Sequence, residues 1–378
     1  MKSNSKTLGD IIKAVDERNS DEKTKEVLGI SINKEFMPSV ANIIGTDLSK
    51  YKLLRKSRFA FNSMHTGRDE RLPIALFKRD DIAIVSPAYF MFEIKNKDEV
   101  DEDYLMIWFQ RPEFDHICWY MTDASVRGGL SWDDFCRISI ELPSIEEQRK
   151  IVHDYKVVSD RIELLKKLDI NLFSTAKVMM KENYREGEKF GNSMSISDFC
   201  DRTVSGATPI RTNNEYWNSS DVAWLKNGEV KNNIILDTEE YISNLALKET
   251  SVKLIDRFSV NMAMYCVSDI QVSYSEIPLT TNQAILNLTV NSFRKASFLY
   301  YYLATFGNDI TSNANGSAQQ NLSKEIIDAH LLLNPNLKDC FFNYFDSNLM
   351  ERINIAKELS ILNKVKTNLL SKLSKEVA

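Results

Sequence analysis

The sequence has no C-x-x-C pair. Its five cysteines (Cys118, Cys136, Cys200, Cys266 and Cys340) are scattered over 378 residues, which fits buried thiols in a reducing cytoplasm better than a disulfide framework. It has only four histidines (His65, His116, His153 and His330), far apart and without metal-ligand spacing; His116-x-Cys118 reads more readily as a core pair than as a zinc half-site. There is no phosphate-binding loop, no dinucleotide fingerprint and no nucleophile elbow. The acid pairs Asp133-Asp134 and Glu146-Glu147 fall at helix starts, where they serve the dipole and the caps. Together these absences argue against catalysis by the chain itself. The N-terminus lacks an apolar signal core and no run approaches 18 apolar residues, so neither secretion nor membrane spanning is expected, and the expected compartment is the cytoplasm. A net charge of −5 removes any global case for nucleic-acid binding, and such a case has to be local.

What is present is a repeat. Gly129–Pro143, GLSWDDFCRISIELP, recurs without a gap as Asn321–Pro335, NLSKEIIDAHLLLNP, 192 residues later. Leu130-Ser131 meets Leu322-Ser323, Ile140 meets Leu332, and Pro143 meets Pro335. Each copy follows a loop of small residues and runs into a long helical segment. The offset is far beyond solenoid periods and reads as a duplicated domain-plus-helix unit. The length suits two or three domains.

The helical segments are the clearest local signal. Ser144–Asn183 has no proline or glycine, and Ser144 with Glu147 fits the capping box. Apolar or small residues recur at Ile151, Tyr155, Val158, Ile162, Leu165, Leu168, Leu172, Ala176 and Met179. Leu337–Glu376 repeats the pattern at Phe345, Leu349, Ile353, Ala356, Leu359, Leu362, Val365, Leu369 and Leu373. Both step by about 3.5 residues, the period of a coiled-coil seam, and two seams in one chain most simply pack on each other.

The globular parts read less evenly. Leu8–Glu17 has the spacing of a short amphipathic helix. Val27–Ile32 and Arg58–Asn62 read as strands, Ser63–Arg71 as an exposed loop, and Asp81–Glu93 as two strands broken at Ser86-Pro87. Tyr104–Arg111 and Phe114–Tyr120 read as helices. In the second part Ser205–Pro209 is a turn, and Asp221–Val230 is a strand ending in a hairpin signal at Asn227-Gly228. Ser259–Ser275 and Thr280–Ile285 read as strands. Phe293–Phe306 is an amphipathic helix whose aromatic face (Phe298, Tyr300, Tyr301, Tyr302) reads as core rather than a base-stacking platform.

The positive functional signals suit binding. Lys50–Asp80 holds nine Lys/Arg against three acids, a local excess that can neutralise phosphates. Within it Arg68 and Arg71 flank acids beside Asn62 and His65. Arg reads guanine and Asn or Gln reads adenine in direct contacts; the bland alternative is a solvated loop pairing its own charges. In the second part Arg211, Lys226, Thr281-Asn282-Gln283 and Ser317–Asn321 offer amides, hydroxyls and forks, with ordinary turn and cap chemistry as the equal alternative.

The whole chain resembles the specificity subunit of type I restriction–modification enzymes. The segment Leu142–Ile151, LPSIEEQRKI, is similar to the family's lead into its central helix. In the first domain the resemblance lies in GISINKEFMPS (Gly29–Ser39), YKLLRKSRFAFNSMHTGRDERLPIAL (Tyr51–Leu76) and VSPAYFMF (Val85–Phe92). In the second it lies in SGATP (Ser205–Pro209), EYW (Glu215–Trp217), VAWLKNGEV (Val222–Val230), TNQAI (Thr281–Ile285) and GSAQQNLS (Gly316–Ser323). The chain departs from the family in CVSDIQVSYS, which lacks a glycine turn, and in Asn334–Leu337, which lacks the Glu-Glu-Gln of the first helix.

The resemblance implies an α/β (α+β) chain with an internal pseudo-two-fold repeat. Two target-recognition domains, 1–143 and 187–336, are separated and joined by two long antiparallel coiled-coil helices, 144–186 and 337–378. Each domain would read half of a bipartite target in double-stranded DNA, and the helices would set the gap. The DNA-facing candidates are Asn62, His65, Arg68, Arg71, Tyr89, Arg127, Arg211, Lys226, Asn282, Gln283, Ser317, Gln319 and Asn321. Gln148, Ile151, Ile162, Leu165, Leu359 and Leu362 are the candidates on the partner-binding helices. Two methyltransferase subunits carrying S-adenosylmethionine would methylate adenine, and ATP- and Mg-dependent restriction and translocase subunits would complete the complex. No catalytic residue, metal or cofactor is implied for this chain. The alternatives are a methyltransferase-binding decoy of the anti-restriction kind, a structural coiled-coil adaptor, and a stand-alone enzyme.

Overall fold

The structure is a computed structural model describing residues 5–41, 44–122, 129–187, 192–264, 269–312, 323–334 and 339–375. The side chains of residues 65, 67, 68, 183–187, 192, 311, 312, 333, 334, 374 and 375 lie outside that description. Packing divides the chain into two units, Met1–Arg161 with Leu362–Ala378, and Ile162–Ile361. The sequence boundaries follow where the long helices begin, whereas the packing boundaries cut through both helices, so each unit owns part of each.

In the first unit a four-stranded antiparallel sheet runs in the order Ile12–Ala14, Phe90–Ile94, Arg58–Phe61, Ile74–Phe77. One face carries Phe59, Phe61 and Phe92, all fully buried under the helices Glu102–Phe109 and Pro112–Tyr120 with Trp108, Phe109 and Phe114. Phe59 and Phe92 stack at 4.8 Å. Burying each such ring is worth ~1.5–3 kcal/mol. The other face carries Ala60, Phe77 and Met91 against Leu28, Leu54, Ala83 and Val85. Pro112 opens the second helix at a position whose missing N–H costs nothing.

The second unit repeats that sheet. Arg202–Ser205, Ile285–Thr289, Ser259–Ala263 and Val272–Ser275 follow in the same order and the same antiparallel sense, and Ile234–Ile235 is added in parallel at the end. A three-stranded sheet (Glu240–Ile242, Val222–Leu225, Thr280–Thr281) lies beside it in the sequence of strands. The helix Phe293–Ser312 buries Phe298, Tyr300, Tyr301 and Tyr302, as its aromatic face led one to expect.

The repeat has one local structure in both units. Ser131 and Ser323 cap short helices, Trp132–Arg137 and Lys324–Ala329, by accepting from the N–H of Asp134 and of Ile326. A strand follows each, Ser139–Glu141 and Leu331–Asn334. It pairs antiparallel with a strand that opens the unit, Ser5–Thr7 or Asn192–Ser195. A four-residue helix then begins, Leu8–Ile11 or Ile196–Phe199, whose first N–H donates to Ile138 or His330. The opening segments, Thr7-x-x-Asp10 and Ser195-x-x-Asp198, are thus part of the duplication, a pairing not apparent from the sequence alone.

Both long helices form, Ile145–Gly187 and Asp339–Lys375. Ser144 caps the first through the N–H of Glu147 at 3.3 Å. Within each unit the two run against each other in opposite directions. In the first, Tyr155 and Leu373 share one core; in the second, Ala176 and Met180 share one with Phe345 and Leu349. The seam is not strictly heptad. Leu168 is 43% exposed and Val365 39%, while Met180 rather than Met179 is fully buried. A 3.6-residue turn drifts off a 3.5-residue pattern, and the buried stripe moves to neighbouring positions.

Three local expectations are corrected. Leu8–Glu17 is helical only to Ile11, because Ile12–Ala14 is taken as a sheet strand by Phe92–Ile94. Ser63–Asp69 is a 3-10 turn and a short helix rather than an open loop, with Ser63 and Thr66 buried. Asn227-Gly228 makes no hairpin: Glu229 accepts from the Lys226 N–H and closes a 3-10 turn, and Val222–Leu225 pairs with strands farther along.

Candidate nucleic-acid interface

Seven of the nine cations in the basic window of the first unit are ion-paired in the fold. Lys52 meets Asp16 at 3.2 Å, Arg55 meets Glu17 at 2.7 Å, and Arg58 meets Glu17 at 2.7 Å and Glu93 at 2.9 Å. Lys50 pairs with Asp47, Lys56 with Asp80, Lys78 with Asp103, and Arg79 with Glu26 and Asp81. All of these acids but Asp80 lie outside the window. The hydrogen bond from Arg55 holds the Glu17 carboxyl down to about 2. The window as a whole is therefore not a free phosphate-binding patch, because counting charge along the sequence misses acids that the fold brings alongside.

The individual candidates of this unit fall at different places. Asn62 caps the 3-10 turn, its side chain accepting from the Met64 N–H at 3.1 Å. Tyr89 is half-buried against the smaller core, and its carbonyl accepts from Lys52. Arg71 is exposed and lines a cleft of about 830 Å³ with Asn33, Glu35, Asp69, Glu70 and His116. The cleft floor holds Lys34, whose ammonium donates to Asp115 at 2.7 Å and to the Phe109 carbonyl. Burial pushes Lys34 below its usual range, Asp115 opposes that, and Arg71 adds to it. Lys34 and Glu70 both hold left-handed backbone (φ +64° and +52°), so the cleft's two loops are locally strained. The side chains of His65 and Arg68, and the whole of Arg127, lie outside the described residues.

In the second unit the recognisable motifs interlock. Gly206 N–H donates to Ile285, Ala207 N–H to Thr281, Asn282 N–H to Leu225, and Trp224 Nε1 to Ala207. A Cβ on Gly206 would stand 2.2 Å from the Asn282 carbonyl and from Thr281 Oγ1, so this close backbone approach requires glycine. These motifs build a framework, and that framework sets the candidates at one end of the three-stranded sheet. Arg211 lies 3.7 Å from the centre of the Trp217 ring and pairs with Glu240. Lys226 reaches Glu239 at 2.7 Å and Glu240 at 3.1 Å. Gln283 is exposed and accepts from Thr208, and Asn282 has a buried side-chain oxygen without a partner. Glu239, Glu240, Trp217 and Thr208 complete this cluster; Thr208 and Trp217 lie in the SGATP and EYW motifs but are not among the site candidates, and nothing local in the sequence marks Glu239 or Glu240. Ser317, Gln319 and Asn321 lie outside the described residues.

The helix candidates are mostly internal to their units. Gln148 is fully buried; its amide donates to the Glu99 and Pro143 carbonyls and accepts from the Asp101 N–H, each at 2.9 Å. Ile151 packs on the first unit's core. Ile162 and Leu165 are buried, and Leu359 and Leu362 are half-buried. Gln148 thus locks the first helix onto its own unit instead of facing outward.

Residues 191–377 match the family model of the type I restriction modification DNA specificity domain. The second half of the chain thus matches the type I specificity domain, and the chain is similar to type I specificity subunits. The type I restriction enzyme MjaIX specificity subunit of Methanocaldococcus jannaschii is 21% identical over 299 residues, covering 73% of this chain and 69% of the relative. The crystal structure of a type-I restriction-modification system S subunit from M. genitalium has the same fold, with a TM-score of 0.60 at 13% identity, over 98% of this chain and 96% of that one. Type I specificity subunits are DNA-recognising components of restriction–modification systems and are generally non-catalytic. Among the described residues no group of three metal-ligating side chains occurs, and no helix is long and apolar enough to cross a membrane.

Proposed function

We propose that this chain reads a bipartite DNA target, one half with each unit, and docks two methyltransferase subunits on its long helices. The observation that carries the reading is the duplication: both units hold the same four-strand order and the same capped-helix-and-strand plate, and each leads into a long helix. The chain supplies sequence choice and no chemistry. The partner methyltransferases supply S-adenosylmethionine and act on an adenine turned out of the duplex; restriction and translocase partners supply ATP and Mg use. In the first unit Arg71 is the exposed cation at the cleft rim. In the second, Gln283, Lys226 and Arg211 present an amide and two cations from one sheet end.

The test is adenine-methylation mapping of cells holding this chain with its methyltransferase, with and without the chain. A split motif that vanishes on deletion is the expected result; a methylome unchanged by deletion contradicts it. The ion-paired basic window favours one rival, a decoy that binds methyltransferase but not DNA. Titration of DNA binding against salt separates the two, since phosphate contacts give affinity that falls with salt and a decoy gives none.

A further inference from the structure

In the second unit a guanidinium is buried in the helix seam. Arg352, on the second long helix, is 1% exposed. Its Nε and Nη2 donate to the two oxygens of Asp169 on the first long helix, at 2.7 and 3.1 Å. Its Nη1 donates to the Tyr300 hydroxyl at 2.8 Å and its Nη2 to the Asn232 carbonyl at 2.9 Å. Its Cζ lies 4.6 Å from the centre of the Phe173 ring. Asn232 itself holds left-handed backbone (φ +56°). One turn away, Asn348 donates to the Leu172 carbonyl at 3.2 Å and accepts from the Tyr301 hydroxyl. Two adjacent rungs of the seam therefore tie three parts together: the first helix, the second helix, and the recognition domain through Tyr300, Tyr301 and Asn232.

An apolar seam tolerates sliding by a turn or a heptad, and a polar group placed in it does not. Moving the second helix by one turn would set Arg352 against Leu165, Leu172 or Phe173, and a heptad slip would set it against Ile162 or Ala176. None of these side chains accepts a hydrogen bond, and a buried guanidinium without a partner is strongly unfavourable. Lysine could keep the charge but not the planar fork that serves Asp169, Tyr300 and Asn232 at once.

We propose that Arg352 and Asp169 are spacing-determining residues: they lock the helix register and the seat of the second recognition domain on it, and so fix the gap between the two half-sites. The proposal rests on the bipartite reading above. A one-turn slip moves a helix by about 5.4 Å, or between one and two steps of ~3.4 Å along DNA. Replacing the pair by apolar side chains keeps a packed core and removes the penalty for slipping.

The experiment is methylation mapping with the full complex for wild type, the double variant Asp169→Leu/Arg352→Met, and Arg352→Lys, with helicity measured for each. Wild type should show one gap length. The double variant should keep both half-site sequences while methylation at gaps one or two base pairs off rises about tenfold, the factor that ~1.4 kcal/mol of lost register discrimination gives. Arg352→Lys should broaden the gap in the same direction, and it decides the matter if the double variant does not fold. A folded double variant, or failing that a folded Arg352→Lys, that keeps the single wild-type gap overturns the lock while leaving the bipartite reading standing. A wild type without a split motif overturns both.

Discussion

The two units share a strand order but not the chemistry of both sheet faces. In the first, Ala60 pairs with Met91 and Ala75. At the same place in the second, Asn261 pairs with Asn287 and Ser273. The first set is apolar. The second is a buried polar patch in which Asn261 donates to Ser273 and Ser275, and Asn287 to Val204 and Thr281. The opposite faces agree: Phe59, Phe61 and Phe92 in one, Val260, Met262, Leu286 and Leu288 in the other, all fully buried beneath helices. The face under the helices is thus what both copies keep apolar, and the other face has been free to diverge. The anchoring of the long helices differs too. The first unit uses a neutral amide, Gln148, and Arg111 donating to the Leu373 carbonyl at 3.1 Å; the second uses the Arg352–Asp169 ion pair.

The largest effect that sharpens this contrast is expected at the buried charge of the first unit. Asp115→Ala strands Lys34 in the cleft floor and should cost ~3–5 kcal/mol, read by chemical denaturation, with the second unit's own transition unmoved. Next is Gly206→Ala. Its added Cβ meets backbone, whereas a Cβ on Gly9 meets Cys136 Cβ at 3.1 Å and its carbonyl at 3.2 Å. We expect a loss of ~1–3 kcal/mol or more for the former and a smaller loss for the latter, by thermal melting. Gln148→Ala leaves one N–H and two carbonyls unmatched and should cost ~1–3 kcal/mol; an unchanged melt would mean that the neutral anchor is idle. Arg71→Ala should leave stability within ~0.5 kcal/mol and weaken one half-site by ~1–3 kcal/mol if the side chain reads a base. Equal weakening on all sequences, in a competition assay, would assign it to phosphate.

The smallest effect is in pH. Glu17 falls from an ordinary 4.5 to about 2 in the folded chain, chiefly through its hydrogen bond from Arg55. A carboxyl depressed on folding contributes stability that is complete above its unfolded value and is lost as pH falls through the folded one. The first unit should therefore weaken between pH 4.5 and 2, and Glu17→Gln should flatten that slope in an acid titration.

The parts that the sequence made legible are those governed by neighbours along the chain. The long helices announced themselves through Ser144 with Glu147 and through the seam period, and the plate through Ser131 and Ser323 with the apolar residues behind them. The aromatic residues of Phe293–Phe306 read as core, and the helix buries them on more than one side, because consecutive Tyr300, Tyr301 and Tyr302 point in directions about 100° apart. What stayed hidden depends on partners distant in sequence. Lys52, Arg55 and Arg58 looked like free cations because Asp16, Glu17 and Glu93 come from other strands and loops. Asn227-Gly228 looked like a hairpin because nothing local shows that Val222–Leu225 pairs with Glu240–Ile242 and Thr280–Thr281. Arg352 is inconspicuous in the sequence because it sits beside, not on, the apolar period.

The most direct test of the central claim, two copies of one reading unit, is methylation mapping with a chain in which residues 192–334 are replaced by residues 5–141. The account predicts a split motif bearing the first unit's half-site on both sides, in inverted orientation. A folded chimera that still methylates the original motif, or one that assembles with its methyltransferase and methylates no motif at all, would contradict it.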